Sequence, residues 1–317
     1  MISVIVPALN ESRILRQCLT ALRSQSLPAD QFEIVVVDNG SADNTVEIAR
    51  EFTDRVYTFP GISLGKLRNS GAKLAKGNVL AFIDADCLAN EHWLQGARDA
   101  LAEGGVGVGN KYDRPDDARW IEALWLGDVP PGRVQTSELW SGNLVVDRAS
   151  FEACGGFDEV LVSCEDVELS IALARRGQLY FDDRVRVVHV GGPGTLLEFA
   201  KQQLWHGFEE WPIFRRGIKR DTFVPTLMCV LGYVTLMCAI LFPAPIDWAA
   251  FIFGVTIIVG ATLWRVRIQL HSHRQASLRT FVRLCVLNVV SLSARALAVV
   301  LRALRRHWSG REKSIIP

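Results

Sequence analysis

The chain has 317 residues, enough for one sizeable domain and an appendage, and its formal net charge is +1. From Arg265 onward, 11 lysines and arginines stand against one glutamate, so the preceding residues carry a net charge of −9. The acidic body argues against nucleic acid as its partner, whereas the basic tail points to an anionic surface such as a membrane leaflet.

Cysteine usage and the amino terminus both indicate a chain that is not exported. The seven cysteines are odd in number, scattered and without a C-x-x-C pair, so we expect reduced structural thiols rather than a metal cluster. The opening MISVIVPALNES lacks the basic segment and long apolar run of an export signal and predicts a strand from Ile2.

Up to about His189, apolar strands alternate with amphipathic helical patterns. Continuous Val/Ile-rich strands such as ISVIVPA, FEIVVVD and NVLAFIDAD, separated by helices, predict an α/β domain with a mostly parallel sheet. Ligands of such sheets bind outside the carboxyl ends of the strands. We therefore expect one crevice lined by the polar residues at three strand ends: Asn10–Glu11, Asp38–Ser41 and Asp84–Asp86.

Two apolar segments of about twenty residues, Thr222–Phe242 and Ile246–Trp264, follow the α/β region. Their length suits a hydrocarbon core of about 30 Å, although two core helices of a soluble domain would have a similar pattern. The connection between them has no Lys or Arg, whereas basic residues flank the pair: Arg215, Arg216, Lys219, Arg220, Arg265 and Arg267. The positive-inside rule predicts a two-span protein of the cytoplasmic membrane with body and tail in the cytoplasm.

The segment Arg279–His307 is apolar too, but Arg283 and Arg295 lie within it. Its polar residues occupy about half of a helical projection, which favours a helix lying in the membrane interface over a third span. The predicted domains are a catalytic domain at 1–195, an interfacial helical linker at 196–221, a transmembrane hairpin at 222–264 and a basic amphipathic cytoplasmic tail at 265–317.

Asp84 and Asp86 directly follow a buried strand, where desolvation makes carboxylates costly. Mg²⁺ commonly takes one or two protein carboxylates and completes its shell with water and phosphate oxygens. The D-x-D spacing therefore suggests a metal-bridged diphosphate, while a turn or helix-cap role remains the structural alternative.

Three other motifs supply candidate groups. Asp38 ends a strand in VVVDNGSADNT, where it could accept a hydrogen bond from a base N–H or a ribose hydroxyl. Lys66 and Arg68 open a helix, and cations there favour an anionic ligand. Glu165 and Asp166 begin another helix, where ordinary capping and a general base held at the crevice both fit the pattern.

The ordered motifs SVIVPALNE, EIVVVDNGSADNT, GKLRNSGAKLAKG, FIDAD, SGNLVVDRASFEACGGFDE and EDVELSIALARRG resemble the family 2 glycosyltransferases over roughly Ile2–Gly192. The resemblance implies the GT-A fold, a Rossmann-like α/β catalytic domain. It also implies a nucleotide-sugar donor carrying UDP, GDP or dTDP, a divalent cation, Mg²⁺ or Mn²⁺, and inversion at the anomeric carbon.

Carried over to this sequence, the resemblance predicts a role for each site residue. Asp166 matches the catalytic base. The donor-binding set is Pro7, Asn10, Glu11, Asp38, Lys66, Arg68 and Asp84. Asp86 and His189 match the metal ligands, although a core histidine fits position 189 equally well.

Acceptor binding is expected from the segment between the donor motifs, and the candidates are Trp140, Gly142, Asn143 and Glu165. Processive synthases of the family carry Q-x-x-R-W before their membrane helices. This chain reads KQQLWHGFEEW, in which Gln202 and Trp205 echo that element without its arginine. We therefore expect transfer of a single sugar.

The sequence thus predicts a membrane-anchored, metal-dependent inverting glycosyltransferase whose acceptor is a lipid-linked or otherwise membrane-associated hydroxyl. A transferase acting on a polyprenyl phosphate is the alternative within the same class, because its attacking oxygen is already ionised and needs no base. A non-catalytic nucleotide-sugar-binding membrane scaffold is the alternative of another class.

Overall fold

The computed structural model describes residues 1–161, 163–208, 211, 214, 221–241, 247–271, 273 and 277–308. They fall into two compact units. The first comprises Met1–Ala118 and Asp128–Gly192, and the second comprises Arg119–Gly127 and the described part of Pro193–Pro317. The basic residues at 215, 216, 219 and 220, the predicted connection at 242–246 and the last nine residues lie outside the described residues.

Ten strands are found in the described residues of the first unit. They are β1 (Ile2–Ala8), β2 (Phe32–Asp38), β3 (Val56–Thr58), β4 (Val79–Ile83), β5 (Cys87–Ala89), β6 (Gly107–Gly109), β7 (Arg133–Thr136), β8 (Asn143–Asp147), β9 (Leu179–Asp182) and β10 (Val187–His189). Eight form one sheet in the order β3-β2-β1-β4-β8-β6-β9-β7. Four of its seven pairings are parallel, which confirms the predicted mostly parallel α/β sheet.

The helices up to residue 192 are α1 (Leu15–Arg23), α2 (Thr45–Arg50), α3 (Leu64–Leu74), α4 (Trp93–Ala102), α5 (Trp120–Leu126), α6 (Arg148–Ala153) and α7 (Glu165–Ala174). Two buried clusters cover the two faces of the sheet. Val4 and Val6 of β1 belong to one of them, and Ile5 belongs to the other. Because successive side chains of a strand point to opposite faces, burial on both sides requires the continuous apolar runs seen in the sequence.

The register of the sheet brings distant loops to one edge. The parallel strands β1 and β2 pair from Ile2↔Phe32 to Ala8↔Asp38, so their carboxyl ends are level. Strand β8 is antiparallel to β4, and Asn143 at its start pairs with Ile83 at the end of β4. The residues just before β8 therefore lie beside those just after β4.

A separate two-stranded sheet determines the place of His189. Strand β10 runs antiparallel to β5, and His189 pairs with Cys87. This register places the carboxyl end of β10 next to the residues that precede β5. The Val190 N–H accordingly donates to the carbonyl oxygen of Asp86 (2.8 Å).

The second unit contains α5 together with α8 (Leu196–Gly207), α9 (Phe223–Leu241), α10 (Asp247–Leu270) and α11 (Leu278–Trp308). Within the predicted catalytic domain, α5 alone joins this unit, because Ile121 packs with Phe199 and Leu287. These helices form the α-helical region predicted to follow the catalytic domain.

Three of the described helices are long and apolar enough to cross a membrane, at Phe223–Leu241, Trp248–Leu270 and Leu278–Leu304. The sequence pattern predicts two spans, so the third candidate helix differs from that prediction. It arises because an 18-residue stretch between Arg283 and Arg302 contains Arg295 as its one charged residue.

Candidate active site

The loop after β1 is tied to the loop after β2 by backbone-to-side-chain hydrogen bonds. Asn10 adopts a positive φ of 56°; its N–H donates to Ser41 Oγ, and its Oδ1 accepts from the Ala42 N–H, both at 2.8 Å. The Glu11 N–H donates to Thr45 Oγ1, also at 2.8 Å. Asparagine tolerates left-handed backbone better than most residues, so Asn10 can adopt the conformation that these hydrogen bonds require. The side chain of Glu11 is thereby held at the same sheet edge as the end of β4.

Asp38 has a different environment from the other strand-end acids. Its side chain is buried, and its carboxylate accepts hydrogen bonds from the Gly40 N–H (2.9 Å) and the Ser41 N–H (3.2 Å). Gly40 has a φ of +88°, which glycine adopts readily and which turns the chain back toward Asp38. The carboxylate therefore organises its own turn, and a contact with a nucleotide base stays a prediction.

A buried arginine joins two carboxylates below the crevice. Arg68 Nη2 donates to Asp84 Oδ1 at 2.6 Å, and Nη1 donates to Glu165 Oε1 at 2.5 Å. Its guanidinium lies 5.5 Å from the centre of the Phe157 ring, and the side chain is 1% exposed. Burial by itself lowers the pKa of Arg68, but Asp84 and Glu165 raise it above its ordinary value. Arg68 is thus a permanent cation between two acids.

This arrangement differs from two sequence predictions. Glu165 is 5% exposed and bonded to Arg68, so its carboxylate is not presented to an acceptor as predicted. Burial raises the pKa of Glu165 to about 7, although the Arg68 guanidinium lowers it in part. Arg68 in turn directs both terminal nitrogens to protein carboxylates, and its contact with the donor nucleotide stays a prediction. The sequence contains both residues, but their pairing across distant segments is a tertiary feature.

Gly142 lies against the second oxygen of Asp84. A Cβ at position 142 would be 2.5 Å from Asp84 Oδ2 and would also overlap the hydroxyl of Tyr112. Real Cβ atoms essentially never approach another atom so closely, so the absence of a side chain here leaves room for both groups. The structure thus shows that Gly142 leaves space for a neighbouring carboxylate, and its predicted part in acceptor binding stays a prediction.

Tyr112, which belongs to no sequence motif, lies between two predicted site residues. Its ring stacks on His189 with centroids 5.1 Å apart and lies 5.0 Å from the ring of Trp140. Burial raises the pKa of Tyr112, and the nearby Asp84 raises it further, so the phenol is neutral. A lone tyrosine in KYDRP carries no motif, and only the packing identifies it.

A carboxylate and an imidazole meet where the sequence predicts a metal site. Asp86 Oδ2 and His189 Nε2 are 3.4 Å apart. In the described part of the chain, no group of three or more His, Cys, Asp and Glu side chains converges on one metal position. Mn²⁺ and Mg²⁺ accept carboxylate oxygens and complete their shells with water and phosphate, and imidazole nitrogen ligates transition metals. The pair therefore fits a divalent cation that shares its coordination with a diphosphate.

The pKa of Glu11 reflects the negative charge concentrated at this edge of the sheet. Burial raises the pKa of its carboxyl from 4.5 to about 7, and the charges of Asp86 and Asp84 add to that shift. Like charges held close together disfavour ionisation, and a cation beside them relieves the repulsion. The electrostatics of the crevice therefore suit a positively charged ligand.

Asp166 is the second residue of α7 and is partly exposed. The Ser141 N–H donates to its Oδ2 over 3.4 Å, and the Val167 N–H donates to its Oδ1 over 2.9 Å. Asp166 thus contacts Ser141, and Asp84 lies against the next residue, Gly142. The structure brings together the predicted donor-side and base-side carboxylates.

Three predicted residues do not place their side chains with this group. Asn143 is fully buried, with its amide bonded to the Asn110 and Val185 carbonyl oxygens and to the Trp93 indole. It therefore has a structural role, and direct acceptor binding is not available to it. Pro7 is buried within β1, and Lys66 is exposed at the start of α3.

Comparison with known proteins then identifies the chain. The sequence model of the family described as Glycosyl transferase family 2 matches residues 3–139. The glycosyltransferase AglE of Haloferax volcanii is 36% identical over 250 residues, covering 74% of this chain and 81% of AglE. The chain belongs to glycosyl transferase family 2. Family 2 membership makes it a glycosyltransferase, as predicted, and sets aside the non-catalytic scaffold.

Another relative and two solved structures agree. The validoxylamine A glucosyltransferase of Streptomyces hygroscopicus is 29% identical over 219 residues, which cover 56% of this chain and 52% of that enzyme. The mannosyltransferase PcManGT of Pyrobaculum calidifontis, solved with GDP-Man and Mn²⁺, has a TM-score of 0.62 at 17% identity over 96% and 87% of the two chains. TarS 1-349 of Staphylococcus aureus, solved with UDP-GlcNAc, has a TM-score of 0.51 at 17% identity over 97% and 92%. Their likeness confirms the GT-A fold.

Proposed function

We propose that this family 2 glycosyltransferase moves a single sugar, with inversion, from a nucleotide sugar to the hydroxyl of a membrane-associated, lipid-linked acceptor. One observation carries the proposal. The carboxylates of Asp84 and Asp166 lie against two consecutive residues, Gly142 and Ser141 respectively. A donor held near Asp84 and an acceptor hydroxyl near Asp166 would therefore meet above these two residues.

The donor side has the groups that a sugar diphosphate needs. Asp86 and His189 would hold Mg²⁺ or Mn²⁺, and Asn10, Glu11 and Asp84 would line the donor pocket. A bound divalent cation would supply Lewis-acid stabilisation of the charge on the departing diphosphate. Structures of the same fold contain UDP-GlcNAc in TarS and GDP-Man with Mn²⁺ in PcManGT, which supports this ligand class.

The base side follows from the position of Asp166. Its ionised carboxylate would take the proton from the acceptor hydroxyl while the oxygen attacks the anomeric carbon. The new carbon–oxygen bond forms on the face opposite the leaving group, and the old bond to the β-phosphate oxygen breaks with its electron pair. The nucleoside diphosphate leaves, and the configuration at the anomeric carbon is inverted.

The helical unit supports a membrane-associated acceptor. Large apolar side chains are exposed in the second half of α9 and in the first half of α10. Examples are Met237, Ile240, Trp248 and Ile252. Exposed apolar area on this scale indicates a lipid or protein partner, and helices of this length match the bilayer core. A transferase anchored in this way would act on acceptors held in the same membrane.

Helix α11 has the features of a helix that crosses the base of this hairpin in the membrane interface. Its contacts with α9 and α10 include Ser293 with Tyr233 at the middle of α9, and Asn288 with Gln269 near the end of α10. On another side, Arg295 is buried and its Nε donates to Gln203 Oε1 of α8 at 3.0 Å. Helix α8 presents charged residues to solvent, which argues against the hydrocarbon core for this layer.

The remaining face of α11 is an exposed apolar stripe: Leu278, Val282, Val286, Val289, Leu297, Val300 and Leu304. A helix with one apolar face outward and Arg283, Arg295 and Arg302 in contact with protein suits the headgroup boundary. A reporter fused to the carboxyl terminus tests this arrangement. Two spans place the reporter on the same side as the catalytic unit, whereas three place it on the opposite side.

The central experiment is release of nucleoside diphosphate from a panel of UDP, GDP and dTDP sugars. It uses detergent-solubilised full-length protein and native lipid extract, with and without Mn²⁺ or Mg²⁺. We expect metal-dependent release that the extract stimulates and that Asp86→Ala and Asp166→Asn abolish. Release that is independent of added extract and metal for every donor would contradict the proposal.

The same assay separates a hydroxyl acceptor from a polyprenyl phosphate. A phosphate oxygen is already ionised at neutral pH, so Asp166→Asn would then retain most of the activity. With a hydroxyl acceptor, loss of the base costs roughly 10² to 10⁴-fold in kcat. Mass analysis of the lipid product identifies the acceptor that received the sugar.

A further inference from the structure

The buried arginine links the two halves of the proposed chemistry. Arg68 comes from α3, Asp84 follows β4, and Glu165 is the first residue of α7, immediately before Asp166. We propose that Arg68 and Glu165 are positioning residues that hold the Asp84 carboxylate and the start of α7 at a fixed separation. This inference rests on the proposed roles of Asp84 and Asp166.

The geometry of Arg68 suits a positioning residue better than a residue that contacts a ligand. Its two terminal nitrogens donate to different carboxylates over 2.5 and 2.6 Å, and the side chain is 1% exposed. A guanidinium presents its donors in a rigid planar fork, so two acids bound to it are held in a defined relation. Phe157 packs beside the guanidinium and restricts its orientation further.

The start of α7 needs such an anchor. Cys164, which precedes the helix, has a positive φ of 65°, and its side chain makes no capping hydrogen bond to the first turn. Left-handed backbone is unfavourable for a residue other than glycine, and helix starts lose stability without a cap. The Glu165–Arg68 pair is therefore a specific contact that holds this turn, and with it Asp166, at the crevice.

Substitutions at Glu165 and at Arg68 are expected to have different kinetic effects. Glu165→Gln removes the charge that anchors α7 and leaves the Arg68–Asp84 pair intact. We expect kcat to fall about 10 to 100-fold, because misplacement of a reacting group by about 1 Å has such an effect, with donor KM within about threefold of the parent value. Arg68→Lys disturbs both ion pairs, so kcat should fall and donor KM should rise about tenfold.

A matched control separates positioning from charge. Glu168→Gln removes the same charge from the same first turn of α7, and we expect parental kinetics. Equal losses in Glu165→Gln and Glu168→Gln would overturn the proposal in favour of a general effect of charge at the helix start. Unchanged kcat in a folded Glu165→Gln protein would overturn it directly.

Donor-nucleotide binding, measured by calorimetry on each variant, shows that the catalytic unit is folded. If Glu165→Gln does not bind nucleotide, Glu165→Asp replaces it, since the shorter acid keeps the charge but cannot span the same distance. A lower kcat of Glu165→Asp with retained nucleotide binding then supports the positioning role of Arg68 and Glu165, and a parental kcat refutes it. Asp166→Asn is assayed in parallel. Its retention of activity would refute the proposed base, whatever Glu165→Gln shows.

Discussion

The ends of β2 and β4 look alike in sequence but differ in the structure. Each is an apolar strand that runs into aspartate at the same edge of the sheet. Asp38 is 1% exposed, and its carboxylate is taken up by the amides of Gly40 and Ser41. The side chains of Asp84 and Asp86 are 30% and 34% exposed.

The difference lies in where the next backbone amides point. After Asp38, the positive φ of Gly40 turns two N–H groups back onto the carboxylate. After Asp84, the Cys87 N–H donates instead to the Asp84 carbonyl oxygen, and the chain enters β5. A strand-end aspartate is thus a turn former when its own loop satisfies it; when its loop does not, its carboxylate can contact distant groups, as Asp84 contacts Arg68, or a ligand.

The largest expected effect is at the available acids. Asp86→Ala should lower turnover by at least about 10³-fold, because Lewis-acid stabilisation is worth several kcal/mol. Mn²⁺ affinity, followed by electron paramagnetic resonance, should fall in the same variant. Asp54→Ala, at an exposed position, is the control and should leave both unchanged. Parental Mn²⁺ affinity in Asp86→Ala would show that the cation binds elsewhere.

Gly142→Ala tests the space around Asp84. The added methyl would displace the Asp84 carboxylate or the Tyr112 hydroxyl, and we expect kcat/KM to fall about 10²-fold. Tyr112→Phe in the same chain should restore part of the activity by removing one of the two clashes. Gly260→Ala is the control, because its methyl would have its nearest neighbour at 4.0 Å. Full activity of Gly142→Ala would mean that Asp84 needs no fixed position.

Asp38→Asn should affect stability more than turnover. The amide replaces one acceptor oxygen with a donor facing the Gly40 and Ser41 amides, which costs about 1 to 3 kcal/mol of unfolding free energy. Thermal unfolding in detergent measures this loss, and donor KM should stay within about threefold. A large rise in donor KM at unchanged stability would instead support the predicted base contact of Asp38.

The smallest effect concerns pH. The folded pKa of Glu11 is raised to about 7 from an ordinary 4.5, so the native state holds its proton longer than the unfolded chain. Stability of the metal-free protein should therefore fall as pH rises from about 4.5 to 7, by about 1 kcal/mol or less because Glu11 is partly solvent-screened. Unfolding of Glu11→Gln across this range should lack that contribution. Identical profiles for both proteins would refute the assignment.

The fold class was predictable because it depends on local patterns. Apolar runs such as FEIVVVD bury both faces of a parallel strand, and the helices between them follow the helical period. Strand order was not predictable. The insertion of antiparallel β8 next to β4, which delivers Ser141 and Gly142 to the site, depends on long-range pairing.

The sequence by itself determined which acids stand at strand and helix ends, because apolar runs and turn residues fix where elements stop. Thus Asp84, Asp86 and Asp166 could be named in advance. Tertiary structure alone decided the contacts of these and other site residues: Arg68 pairs with Glu165, Asn143 is buried in the interior, and Tyr112 lies beside His189. Contacts between distant segments depend on register and packing, and no local pattern encodes them.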